Sequence, residues 1–169
     1  MTNSLHDLER KIATLRRGIH RGRTKPHKPI MLLTVLDLFD RGHITHNRVR
    51  FDHVLVRRFS DLFGTVRKPG DWCQPAPPFF HLRTSGFWLL KPRAGRESAY
   101  AALTTSGGYS RRLVDNVEYA YLDCEAFAAF SNPQSRLALR DFILRTFFTH
   151  TERARLRAAL CRSTAEQGE

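Results

Sequence analysis

The chain has 169 residues and carries 28 Lys and Arg against 16 Asp and Glu, a formal charge of +12 at pH 7 with a pI near 10.6. That length suits one domain with a real hydrophobic core, and a charge so far beyond what solubility requires makes a polyanion the natural partner. No apolar run approaches the roughly 18 residues a membrane-spanning helix needs, and the basic residues are spread along the chain, so a folded cationic face for nucleic acid is favoured over a membrane surface.

Met1-Thr2-Asn3-Ser4 leads directly into an amphipathic pattern without a secretory signal, which predicts a cytoplasmic protein. Ser4 and Asp7 form a weak capping box, and Leu5, Leu8, Ile12, Leu15 and Ile19 repeat at helical spacing beneath a face that carries Arg10, Lys11, Arg16 and Arg17. Residues 18–25 follow as a Gly/Arg-rich connector, with Arg21 and Arg23 placed to reach a phosphate from a mobile loop. Pro26 and Pro29 then bracket His27 and Lys28 and restrict the residues before them. Pro29 is predicted to open a helix that Gly42 closes, and Ile30 to Phe39 has almost no polar face, so this helix is the core. His27 and Lys28 would stand at its N-terminus, where free backbone N–H groups favour an anion.

Phe51, Val54, Leu55, Phe59, Leu62 and Phe63 predict a third helix, ended by Gly64. Residues 66–78 read as a proline-rich, ordered but irregular loop, and 79–83 with 87–91 read as a hairpin turning at Thr84-Ser85-Gly86. Residues 104–112 form a Gly-rich loop whose amides could approach phosphates closely. Asp123 caps a short helix, Asn132-Pro133 opens a longer one packed through Leu139, Phe142, Ile143 and Phe147, and 151–162 is a basic amphipathic extension. The predicted fold is α+β and mainly helical, a helical core with one short β-hairpin, divided into a domain over 1–150 and an extension and tail over 151–169.

Catalytic patterns are missing from the sequence. The acids are scattered, and neither a Gly-x-Ser-x-Gly elbow, a phosphate-binding Gly-rich loop with Lys-Ser/Thr, a Cys/His dyad nor a His-Asn-His arrangement is present. His43, His46 and His53 share no face with an acidic partner, and Cys73, Cys124 and Cys161 are isolated, so neither a metal site nor a disulfide framework is expected. The chain reads as a binding module without cofactor or metal. The readings left open are a modification-dependent DNA-binding domain, a general DNA-binding regulator, a nuclease with a hidden site and a protein-interaction module.

Leu15-Arg16-Arg17, then Pro26-His27-Lys28-Pro29 followed by Leu32-Leu33 and Leu36-Asp37-Leu38, and later Pro78-Phe79-Phe80-His81-Leu82 with Gly86-Phe87-Trp88, occur in one order. Over roughly residues 5 to 149 the chain resembles the DNA sulfur-binding domain of McrA-type, phosphorothioate-dependent restriction endonucleases. The resemblance implies a domain that binds double-stranded DNA in which sulfur replaces a non-bridging phosphate oxygen. Cutting is the work of a separate HNH nuclease domain, to be sought C-terminal to this one in a full-length protein. Carried over by motif, His27 and Lys28 would hold the modified linkage, and Pro77, Pro78, Phe79 and His81 would line the sulfur pocket. Lys28 stands where the family often has arginine, and Pro77 where it commonly has an aromatic residue.

The chemistry agrees with that implication. Sulfur is larger than oxygen, a poorer hydrogen-bond acceptor and cheaper to strip of water, while the linkage keeps its charge. A selective site should be apolar where sulfur sits, as Ala76-Pro77-Pro78-Phe79 is, and cationic around it, as His27, Lys28 and Arg83 are. An ordinary phosphate oxygen against that wall would go unsatisfied, at about 1–3 kcal/mol. Further DNA contacts are expected from Arg16, Arg17, Arg21, Arg23, Lys25, Lys68 and Gln74, and from Ser106, Gly107, Gly108, Tyr109 and Arg111 in the Gly-rich loop.

Overall fold

A computed structural model describes residues 2–104 and 110–162, the side chains of residues 2 and 3 excepted. Helix α1 (Thr2–Ala13) buries Leu8 and Ile12 as the spacing predicts, but it stops well before Ile19. Thr14 turns its hydroxyl back onto the Arg10 carbonyl at 3.0 Å, and the following connector is a tight hairpin instead of a mobile loop. Its strands, β1 (Ile19–His20) and β2 (Arg23–Thr24), pair antiparallel. Arg21 and Gly22 between them both have positive φ, 50° and 75°, the requirement of a two-residue turn that matches strand twist.

Helix α2 (His27–Asp40) begins two residues earlier than predicted, with Pro26 at the N-cap and Pro29 within the first turn. Residues Pro29 to Phe39 are all buried. Gly42 closes the end in the left-handed region, at φ 71°, as expected. Asp52 caps α3 (His53–Val66) by accepting from the Leu55 N–H at 3.0 Å. That helix runs through Gly64, where a side chain would meet nothing, and ends ahead of Lys68-Pro69.

The predicted hairpin over 79–91 is not formed. Residues Ala76–His81 are helix α4, followed by a 3₁₀ turn over Leu82–Ser85 and by Gly86 at φ 85°. Pro77 and Pro78 fall in the first turn of α4, where a missing N–H costs nothing and a fixed φ favours the helix. Phe79 and Phe80 are both fully buried, which an alternating strand would not allow. The strand β3 (Trp88–Pro92) finds its antiparallel partner much later, in β4 (Val117–Leu122), with Trp88 opposite Leu122 and Leu90 opposite Ala120. Between them lie the short helices α5 (Glu97–Ala101) and α6 (Ser110–Asn116). Asn47 braces β4 from outside by donating to the Leu122 carbonyl and accepting from its N–H, each at 2.8 Å.

Asp123 caps α7 (Cys124–Ser131), and Asn132 caps α8 (Pro133–Phe147), as predicted. The last described helix, α9 (His150–Cys161), opens with a full capping box between Thr149 and Glu152. It packs on α3 through buried Leu156 and Leu160, so it belongs to the same core. Helix α2 is enclosed by α3, α4, α7 and α8. Its one buried carboxylate, Asp37, accepts from Arg41 Nε at 2.6 Å and Arg58 Nε at 2.8 Å. Arg58 also donates to the Ala159 carbonyl, so this charge cluster joins α2, α3 and α9. None of the described helices is long and apolar enough to cross a membrane.

Removing one partner from a buried ion pair strands the other, so Asp37→Ala is expected to destabilise the fold by about 3 kcal/mol. Urea denaturation of the variant measures this.

Candidate functional site

The start of α2 meets a cavity of about 480 Å³. His27 and Lys28 line it from the helix's first turn, with Lys25 just before them. Arg16, Arg17 and Gly18 contribute from the segment after α1, Gln74 from the loop after α3, Pro77, Pro78 and His81 from α4, and Thr84 from the turn that follows. The cavity combines one stiff apolar wall with a ring of cations. No side chain caps α2, so the backbone N–H groups of His27 and Lys28, which have no acceptor within the helix, add partial positive charge where the helix meets the cavity.

His27 is fixed by what it holds. Its Nε2 lies 2.8 Å from the Trp72 carbonyl, and because a carbonyl can only accept, Nε2 carries the proton and donates. Its ring packs 4.7 Å from that of Phe63. Nδ1 is buried and has no partner among the described residues. Burial holds the imidazole below its ordinary pKa, and the charges of Lys25 and Arg23 push the same way, outweighing the Trp72 carbonyl and Asp71. His81 is lowered likewise, first by burial and then by Lys28 and Arg83. Lys28 reaches past α2 to donate from Nζ to the Arg16 carbonyl at 2.6 Å, and burial and the Arg16 charge lower its pKa as well.

The segments around the cavity are tied to one another. The Lys25 N–H donates to the Gly18 carbonyl at 2.7 Å, and a Cβ at Gly18 would come within 3.2 Å of the Lys25 side chain. A side chain at Gly18 would make that aliphatic stem give way by a few tenths of an ångström. Arg17 stacks its guanidinium over the Phe147 ring, 4.5 Å from the centroid. Pro78 is buried and Pro77 partly exposed, so Pro77 presents more of the wall.

Other predicted residues lie elsewhere. Phe79 is fully buried, with its ring edge-to-face against Trp88 and Phe51, so it supports α4 from behind. Arg23 is spent on structure, pairing with Asp71 and approaching Glu152 at 3.7 Å. Lys68 also lies 3.7 Å from Glu152, and Arg21 stands at the tip of the hairpin. Arg83 lies over the Phe80 ring and donates to the Leu103 carbonyl. Arg111 is exposed on α6, beside Asp115. Ser106, Gly107, Gly108 and Tyr109 fall outside the described residues. Sequence reasoning missed Gly18 and Thr84 as lining residues. The Gly18 signal was its position directly after Arg16-Arg17, whereas Thr84 carried none.

A separate cleft of about 650 Å³ gathers His43, His46, Arg48 and Arg50. Asp52, its one carboxylate, is committed to capping α3. Among the described residues no group of three or more His, Cys, Asp or Glu side chains is arranged to hold a metal ion.

No match is found among curated proteins. Among solved structures, the fold is similar to one described as the sulfur binding domain of SprMcrA complexed with phosphorothioated DNA, with a TM-score of 0.69 and 17% identity over 93% of each chain. A likeness at that identity speaks for the fold. The family follows from the sequence itself, because the family model of the ScoMcrA-like DNA sulfur-binding domain matches residues 5–161. A chain matched over nearly its whole described length, with its cations and proline wall gathered at one helix start, belongs to the ScoMcrA-like DNA sulfur-binding domain family.

Proposed function

We propose that this chain binds double-stranded DNA through a backbone phosphorothioate seated in the cavity at the start of α2. The observation that carries the reading is the meeting of Pro77 and Pro78 with Lys28, Lys25 and Arg16 around one opening. Family membership and the likeness to a domain complexed with phosphorothioated DNA support it. Sulfur would lie against the prolines, which offer no donor, and the charged oxygen would face the cations and the free N–H groups of His27 and Lys28. His27 then acts chiefly through its backbone and as the anchor of the Trp72 loop, since its Nε2–H is already given to a carbonyl. His81, Gln74 and Thr84 complete the rim. Lys28 contributes a point charge in place of the fork an arginine would bring, so charge rather than bidentate geometry attracts the linkage.

The reading assigns no bond-breaking step to this chain. Cleavage would belong to a separate HNH nuclease domain of a full-length protein, with this domain locating the modified site.

Binding to matched duplexes, identical except for one phosphorothioate, tests the reading across a panel of flanking sequences and both phosphorus stereoisomers. A preference for the modified duplex of about tenfold or more is expected, equivalent to one unsatisfied buried oxygen. Equal affinity throughout the panel would instead leave a general DNA-binding domain indifferent to sulfur. Pro77→Ser, which offers a hydroxyl donor to an ordinary oxygen, should shrink the preference while sparing affinity for unmodified DNA. Lys28→Ala should weaken both duplexes and lessen the salt dependence of binding.

The histidines give binding a pH dependence. His27 and His81 have lowered pKa values in the free protein and are neutral near pH 7. An anion in the cavity raises both values, so binding takes up protons and affinity should climb as pH falls below neutrality. The fold behaves oppositely, because the unfolded chain, with histidines near 6.5, is then the better proton acceptor. Stability should fall as pH drops below about 6.5. Anisotropy titrations with His81→Asn should flatten the climb in affinity; an unchanged climb would remove His81 from the site.

A further inference from the structure

Two large apolar side chains project from the segments around the cavity: Trp72 and Ile19, each 72% exposed. Both stand on fixed backbone. The Trp72 loop is pinned at Asp71, whose carboxylate accepts from the Lys68 N–H at 3.0 Å and from Arg23, and whose carbonyl accepts from Arg67 Nε at 3.1 Å. The Trp72 carbonyl itself accepts from His27. Ile19 opens the hairpin that carries Arg23, so the same ion pair ties the two segments together. The hairpin and loop also approach at Gly70, where a Cβ would lie 3.4 Å from His20 Nε2.

The indole is left in water, and the same hairpin and loop segments also carry the cations Arg21, Lys25, Arg67 and Lys68. A polyanion that also presents apolar surface fits this arrangement, and duplex DNA does so in its grooves. Resting on the DNA-binding reading above, we propose that Trp72 is a duplex contact: its indole, with Ile19 on the adjoining hairpin, covers sugar and base edges of the nucleotides beside the linkage held in the cavity. The cations supply affinity through counterion release, whereas the indole supplies apolar contact that salt does not screen.

That difference makes the proposal measurable. With a fluorescent duplex carrying one phosphorothioate, titrated over a range of salt concentrations, Trp72→Ala should weaken binding about tenfold at every salt concentration, the order expected when an interface aromatic is truncated. The slope of log affinity against log salt should not change, whereas Lys25→Ala should reduce it. Trp72→Phe should recover most of the loss. Trp88, the other tryptophan, is 1% exposed, so acrylamide quenching reports on Trp72, and saturating duplex should protect it. If the duplex binds but Trp72 stays as quenchable as in the free protein, or Trp72→Ala binds like the wild type, this contact is wrong and the DNA-binding reading stands. If the wild type binds no duplex, that reading fails and the contact fails with it.

Discussion

The first turn of α2 is held by the helix behind it, which is buried from Pro29 to Phe39 and enclosed by four other helices. The groups around the cavity are positioned from that turn. Lys28 reaches from it to the Arg16 carbonyl, and His27 reaches from it to the Trp72 carbonyl. The segment after α1 and the loop after α3 are thereby both fastened to one helix end. For the proposed seating of a phosphorothioate such rigidity matters, since a wall that yielded would accommodate oxygen with a water molecule beside it.

The same fastening separates two electrostatic jobs. Some cations are consumed by the fold: Arg23 by Asp71, Arg58 and Arg41 by Asp37, and Arg136 and Arg140 by Asp40. Lys25, Lys28 and Arg16 stand around the cavity without a carboxylate among its lining residues to neutralise them. Net charge alone therefore says little about where a polyanion binds; the distribution of partners does. Burial meanwhile lowers the pKa values of both His27 and His81, which limits repulsion among the cations around the cavity.

Much of this was legible in the sequence for identifiable reasons. A ten-residue run from Ile30 to Phe39 without a polar face could only be a core helix, and the His27-Lys28 corner with the Pro77-Pro78 wall carried the family's order of motifs. The hairpin was misread because Phe79-Phe80-His81-Leu82-Arg83 has no period that separates strand from helix, and the true partner of β3 lies beyond two short helices. Phe79 was grouped with Pro78 by adjacency, yet a helix turns about 100° per residue, so neighbours in α4 face different ways. The structural pairing of Arg23 was not legible, because its carboxylates, Asp71 and Glu152, are remote in sequence. Exposure of Trp72 was equally invisible, since nothing local distinguishes a projecting indole from a buried one.

The central claim is that the modified linkage itself occupies the cavity, and phosphorus NMR addresses it directly. A phosphorothioate phosphorus resonates well apart from the phosphodiesters of the same duplex, so one linkage can be followed through a titration. The account predicts that this resonance shifts more than any phosphodiester signal on saturation with the wild-type chain, and that the excess shift is lost with Pro77→Ser at saturating protein. A duplex that binds fully while the phosphorothioate resonance stays in place and other phosphates move would contradict it.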